Sequence, residues 1–478
     1  MNRRDFIRSG GAATVMAMGG SACASISGDA GKLAYFGGTP VMSAAQKPAG
    51  YGRLFAWPIV NSAMRKASDD VLVSGKMSGR DITIKFENEF AKWQGTKYAL
   101  ACLNGTTALN TAFYAVGVGP GDEVICPTVT FWASCTGVVN LGGTVVFCDI
   151  KPDDLTLDPA SFEARITPRT KAVVVVHYMG CPCDMDAIMP IARKHGIKVI
   201  EDVSHAQGGL YKGRKLGTIG DIGAMSLMSG KSFAIGEAGM LVTDSREYYE
   251  KSICWGMYGR MPSILPKSTL ARVREVPFGG IKNRLNQCTA AVGLEQLKKY
   301  DAECAEIEKA MRYWWDGISD VDFLKIIYPK YPDSNKAGWY ASRGRFLPER
   351  APGVDNRVLV AALNAELGGL GVFNAGANYP LHWSSVFDDE DIFGNGQPPS
   401  RRFLPAGVTS RKLSGELPVA EGISARVIGD PWFKHCDRQI IDLYIEAVHK
   451  VAKNIDKLRG VKPRNPGYSF WTPGAYES

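Results

Sequence analysis

"KAVVVVHYMG" occupies Lys171–Gly180 and "IKVIEDVS" occupies Ile197–Ser204. A strand with one wet face alternates apolar and polar residues, and the valine run does not alternate. Such a run reads as a strand covered on both faces, the habit of parallel sheets. Between the two strands, "MDAIMPIARKHG" (Met185–Gly196) has helical spacing and closes on a glycine. Strand, helix, strand is the unit that builds a parallel sheet. Working outward, "EVICP" (Glu123–Pro127), "GTVVFCDI" (Gly143–Ile150) and "IGAMSLM" (Ile222–Met228) read as further strands, and "TTALNTAFYAVGV" (Thr106–Val118) as a helix. A long helical pattern follows from Leu285 to Ile318. Beyond it the composition turns irregular and rich in proline and glycine. The expected fold is α/β: a mostly parallel sheet sandwiched by helices over residues 26–300, and a smaller C-terminal α/β domain over 301–478. The last stretch, "NPGYSFWTPGAYES", reads as an arm.

Composition narrows the function classes. The 478 residues are 45% hydrophobic and 22% charged, as expected of an ordinary globular chain. Net charge is +8, and Arg3, Arg4, Arg8 and Asp5 account for +2 of it. No long basic run with interleaved aromatics occurs, so nucleic acid is not implied. "MNRRDFIRSGGAATVMAMGGSACAS" pairs arginines with a weakly apolar Gly/Ala stretch and the small residues Ala22, Cys23 and Ala24. It resembles a twin-arginine export signal over residues 1–25, with periplasmic delivery as the expectation. The stretch is shorter than the roughly 20 apolar residues of a membrane span. The 11 cysteines are scattered. Cys181 and Cys183 stand too close together for paired zinc ligands, and no metal site is expected.

Ligands of open α/β sheets bind at the carboxyl ends of strands. "CLNGTTAL" places Asn104, Gly105, Thr106 and Thr107 at a helix start, where free N–H groups and hydroxyls suit a phosphate. "PTVTFWAS" brings Phe131 and Trp132 to the same edge. "IEDVSHAQGG" ends a strand with Asp202, followed by His205, and a carboxylate there needs a partner. "SLMSGKSFAIGEAGM" sets Lys231 five residues after Ser226, in a turn of small residues where a surface lysine has no use for glycines. A phosphate cradle, an acid, a flat ring and a lysine are the parts that pyridoxal phosphate requires.

These stretches, with "GVGPGDEVICPTVTFWAS", "TPRTKAVVVVHYMG", "YKGRKLGTIGDIGAMS" and "NRLNQCTAAVGLEQL", occur in order. The chain resembles the DegT/DnrJ/EryC/StrS family of pyridoxal-phosphate-dependent sugar or ketocyclitol aminotransferases. The resemblance implies an aspartate-aminotransferase-like fold (type I) and the cofactor pyridoxal 5'-phosphate. It implies Lys231 as the Schiff-base lysine, Asp202 on the pyridine nitrogen, His205 at the ring hydroxyl and Phe131 as the stacking ring. Gly105, Thr106, Thr107 and Ser226 match the phosphate site. Lys282 falls where the family has an asparagine that reaches the neighbouring subunit's phosphate, and Met228 replaces a usual histidine or glutamine. The implied reaction moves an amino group from glutamate or glutamine to a keto-sugar or ketocyclitol, in a homodimer. Two rivals remain. A dehydratase on this fold carries histidine where Lys231 stands. A non-catalytic binding or sensory protein would suit an exported location away from nucleotide-sugar pools.

Overall fold

The computed structural model describes residues 31–464, apart from 262–269, 271–275, 388–389, 392–393, 395, 400–401 and 405–414. The export segment at 1–25 and the arm at 465–478 lie outside the described residues. The main sheet contains β1 (Tyr98–Cys102), β2 (Glu123–Pro127), β3 (Thr144–Cys148), β4 (Thr170–Val176), β5 (Lys198–Asp202), β8 (Ile222–Ser226) and β9 (Gly239–Thr243). A small hairpin, β6 (Leu210–Tyr211) with β7 (Arg214–Lys215), sits between β5 and β8. The strand order is β1-β9-β8-β5-β4-β2-β3. Pairs from β3 through β8 are parallel, and β9 runs antiparallel to both β8 and β1.

The valine run behaves as its composition requires. Ala172, Val174 and Val176 join the hydrophobic cluster on one face of the sheet, while Val173 and Val175 join the cluster on the other. All five are at most 3% exposed, so β4 is covered twice. Fully burying one such side chain contributes about 1.5–3 kcal/mol. The covering helices include α1 (Ser62–Ser74), α2 (Asp81–Gln94), α3 (Gly105–Ala115), α4 (Met185–His195), α5 (Arg246–Gly256) and α6 (Gln287–Leu297). Helix α4 ends as its sequence indicates, with Gly196 at φ 66°.

One expected element is divided. The pattern from Leu285 to Ile318 forms α6 and a separate α7 (Tyr300–Gly317). Lys299 leaves the helical region at φ −120°, and its amine reaches the Ile59 carbonyl and Glu303. Tyr300 then turns inward, 1% exposed, and its hydroxyl donates to the Gln207 carbonyl at 2.7 Å. Apolar spacing runs straight through this corner because both helices bury the same kinds of residue.

A second sheet, antiparallel, has the order β10 (Leu324–Ile326), β11 (Arg343–Phe346), β13 (Val427–Gly429), β12 (Asn374–Ala375). It packs with α7, α8 (Asn356–Glu366) and α9 (Arg438–Lys453) around Trp314, Phe346, Leu363 and Tyr444. Leu33, Met42, Tyr51 and Leu54 belong to this same cluster, so the segment before α1 packs with the C-terminal elements.

Candidate active site

Three strand ends and one helix start converge. Strand β5 ends at Asp202, β8 ends at Ser226, and the loop after β2 carries Thr130, Phe131 and Ser134. Helix α3 begins against them because two positions lack a side chain. A Cβ on Gly105 would stand 2.7 Å from the Ser226 Cβ, and one on Gly239 would stand 2.2 Å from the Asn104 carbonyl oxygen. Any larger residue would push the helix start away from the sheet. The result is a cavity of about 520 Å³ lined by Gly105, Thr106, Phe131, Asp202, His205, Ser226, Met228 and Lys231, among others. That size suits a cofactor with a small substrate.

At one end lie anion-binding groups. The first N–H groups of a helix have no intrahelical acceptor. Asn104 Oδ1 accepts from the Thr107 N–H at 2.9 Å, which leaves those of Gly105 and Thr106 without a protein acceptor among the described residues. Ser226 stands beside them. Thr107 does not line the cavity. Its hydroxyl lies 3.2 Å from the Asn104 N–H and closes a capping box, so the expectation that it faces a phosphate is corrected. The helix start needed that threonine for its own cap.

Deeper in, Asp202 is 4% exposed and both its oxygens are engaged. Oδ2 accepts from the Ser134 hydroxyl at 2.7 Å, and Oδ1 from the Ser204 N–H at 3.0 Å. His205 accepts the Met179 N–H at Nδ1, 3.3 Å away, so in the neutral ring the proton sits on Nε2. Burial holds this ring well below the usual histidine range, and the charges of Lys231 and Arg343 add to the effect. Lys231 is held by its turn: its N–H donates to the Met228 carbonyl at 2.8 Å, and Trp57 Nε1 donates to its carbonyl at 2.8 Å. Its amine lies 4.2 Å from the centroid of the Tyr340 ring. Burial pulls the amine down to about 8, with Asp202 acting in the opposite direction. Phe131 and Trp132 are each 41% exposed at the mouth.

This set combines phosphate donors, an acid, a ring and an amine of lowered pKa in one concave space. The chemistry of this set suits pyridoxal phosphate, and no group of metal-ligating side chains competes with it among the described residues. Residues 58–402 match the DegT/DnrJ/EryC1/StrS aminotransferase family. The chain belongs to that family. It is a pyridoxal-phosphate-dependent aminotransferase. Spore coat polysaccharide biosynthesis protein SpsC of Bacillus subtilis (strain 168) is 31% identical over 407 residues, covering 84% of this chain and 97% of that protein. GDP-perosamine synthase of Caulobacter vibrioides is 40% identical over 231 residues, covering 48% of this chain and 60% of that protein. The X-ray structure of an aminotransferase from Psychrobacter cryohalolentis matches with a TM-score of 0.70 at 29% identity, over 84% of this chain and 99% of that one.

Two family positions need comment. Lys282 is exposed and outside this chain's own cavity, with its amine 5.7 Å from the Tyr258 ring centroid. Met228 lines the cavity where a polar residue is usual. Three wall residues carried no sequence signal: Tyr340, Arg343 and Asn378 come from the C-terminal elements. Ser134 and Ser204 did carry one, since they fall inside the two motifs that frame Asp202.

Proposed function

We propose that this enzyme transfers an amino group from glutamate or glutamine to a keto-sugar or ketocyclitol. The observation that carries the reading is the Lys231 amine, lowered to about 8 in the cavity that also holds Asp202. The relatives' names, a spore coat polysaccharide protein and a GDP-perosamine synthase, support a sugar acceptor. Gly105, Thr106 and Ser226 would hold the cofactor phosphate, Phe131 its ring face and His205 its ring hydroxyl. Bound there, pyridoxal phosphate supplies an electron sink conjugated to the substrate amine. Asp202 would keep a proton on the ring nitrogen. Lys231 Nζ would carry the proton lost by the donor α-carbon. A base with a pKa near the working pH is best suited to that task. The Tyr340 ring covers this amine on one side.

The test is a pair of half-reactions. Purified enzyme should show a visible absorbance band that glutamate or glutamine bleaches. The aminated form should then be screened against keto-sugars and inososes. A band that neither donor alters would leave only a binding protein.

The same reading makes the enzyme a homodimer, with Lys282 donating to the cofactor phosphate of the partner. Support comes from the exposed apolar residues Leu103, Tyr258, Val276 and Phe278. Charge-assisted hydrogen bonds are about twice as strong as neutral ones. Lys282→Ala should therefore weaken cofactor binding severalfold at low ionic strength, where screening is least. Unchanged affinity, or a monomer by sedimentation, would remove this part. We further propose that the twin-arginine segment exports the folded protein to the periplasm. Arg3→Lys with Arg4→Lys should retain it inside the cell, and unchanged fractionation would count against export.

A further inference from the structure

Strand β11 places Arg343 and Arg345 two residues apart, on one face of the strand. Their environments differ. Arg345 is ion-paired with Asp153, and no carboxylate lies within ion-pair distance of Arg343 among the described residues. Arg343 is instead fixed by main-chain oxygens. Its Nε donates to the Gly376 carbonyl at 3.3 Å, and its Nη1 to the carbonyls of Ala341 and Ser342 at 3.2 and 3.1 Å. Its Nη2 has no protein partner among the described residues, and the side chain lines the cavity. Two residues beyond Gly376 stands Asn378, also in the cavity wall. Tyr178 donates its hydroxyl to Asn378 Oδ1 at 2.8 Å and accepts the Asn378 N–H at 3.1 Å. With Oδ1 engaged, the Asn378 amide offers the cavity its Nδ2 donor. A guanidinium end and an amide N–H₂ in the wall of one cavity are donors suited to an anion. It is formed by different elements from the phosphate donors of α3 and β8.

We propose that Arg343 and Asn378 form a carboxylate subsite of this cavity, which selects substrates carrying a carboxylate. This rests on the aminotransferase reading. Arginine is suited to the role because it stays charged and offers planar donors to a planar anion. The Arg343 charge also lowers the proton affinity of His205, and the buried Asp430 carboxyl feels it without forming an ion pair with it. The carboxylate has two possible sources: the α-carboxylate of the amino donor, or an acidic group on the keto acceptor.

The experiment uses the holoenzyme and its Arg343→Gln, Arg343→Lys and Asn378→Ala variants. Calorimetry with glutarate, which has carboxylates and no amine, reads the subsite without turnover. Arg343→Gln should weaken glutarate about 10–100-fold, and Arg343→Lys should recover part of that loss. Unchanged glutarate affinity would overturn the proposal. Rates of absorbance bleaching are then compared for glutamine and glutaminol, which differ only at the α-carboxylate. A loss of about 10–100-fold for glutamine, with glutaminol little affected, assigns the subsite to the donor. A loss confined to the second half-reaction with a keto-uronate, against the matching neutral keto-sugar, assigns it to the acceptor. Equal losses for charged and neutral members of both pairs would make Arg343 a structural residue and overturn the proposal. A wild-type enzyme that neither amine bleaches would sink the aminotransferase reading instead, and glutarate would still report on the subsite.

Discussion

Two lysines among the described residues are drawn far down in proton affinity, and only one belongs to a site. Lys231 is drawn down to about 8 and lies 4.2 Å from the Tyr340 ring centroid. Lys434 is 4% exposed, is drawn down to about 6 by burial, and lies 3.1 Å from the Trp432 ring centroid. By proton affinity, Lys434 is the more perturbed amine. What separates them is the neighbourhood. Lys231 opens on a cavity that holds Asp202, Ser226 and the start of α3, whereas Lys434 lies outside that cavity and donates to the Trp432 carbonyl at 3.0 Å. A perturbed pKa marks desolvation, and a site also needs room for a substrate and partners aimed at it. The regions touch through aromatic rings: Trp57, which holds the Lys231 carbonyl, lies 5.5 Å from Trp432, and Trp432 lies 5.7 Å from Tyr340.

Removing each amine separates the two lysines most directly. Lys231→Ala should abolish turnover, since lost proton transfer alone costs about 10²–10⁴-fold. The turn should survive, because its hydrogen bonds run through main chain and through Ser232, whose hydroxyl donates to Gln207 Oε1 at 2.6 Å. Near-normal activity with glutamine in this variant would remove Lys231 from the chemistry. Circular dichroism and thermal unfolding would show whether the fold is intact.

Asp202→Ala comes next. It removes the acceptor of Ser134 and Ser204 and a carboxylate that favours the charged form of Lys231. Turnover should fall on the order of 10²-fold, as for other preorganised electrostatic groups, and cofactor retention should fall by less. The residual apparent pKa of Lys231 should also drop below about 8, because the opposing charge is gone. A variant with wild-type rate would show that the ring nitrogen needs no acid here.

The difference between the two lysines also explains what was legible in the sequence. Asp202, Ser226 and Lys231 stand at strand ends or in the next turn, so local spacing carries them. The double burial of β4 was legible because five consecutive apolar residues cannot alternate. Strands β1 and β9 were not picked out, being short runs whose pairing is antiparallel and fixed by tertiary contact. Thr107 was misplaced because one residue type serves both a helix cap and a phosphate. Arg343, Asn378 and Tyr340 reach the cavity from elements more than a hundred residues after Lys231, and no local pattern distinguishes Arg343 from the ion-paired Arg345. Lys434 is likewise indistinguishable in sequence from a surface lysine. Its burial follows from Trp57 and Trp432 meeting across the molecule.

Lys434→Met should change turnover least. The side chain is of similar length, so its place beside Trp432 can be filled by a thioether, which packs well on rings. The expected effect is on stability, and its sign follows from the protons. The folded amine releases its proton near 6, while the unfolded lysine holds it to about 10.5. Between those values the unfolded chain binds more protons, so this group makes wild-type stability rise with pH across that window. Below about 6 both states are protonated, and the cost of the buried charge is complete and constant. The cation–ring contact with Trp432 offsets part of it, by about 1–2 kcal/mol. Lys434→Met should therefore unfold at a higher temperature than wild type near pH 6. With that offset the gain should be on the order of 4 kcal/mol and should shrink steadily as pH rises toward 10.5. Differential scanning calorimetry of both holoenzymes at several pH values measures this directly. A stability difference that does not vary with pH would mean that Lys434 titrates alike in both states. A large loss of turnover would mean that the sealed lysine takes part in the site after all, through Trp432 and Tyr340.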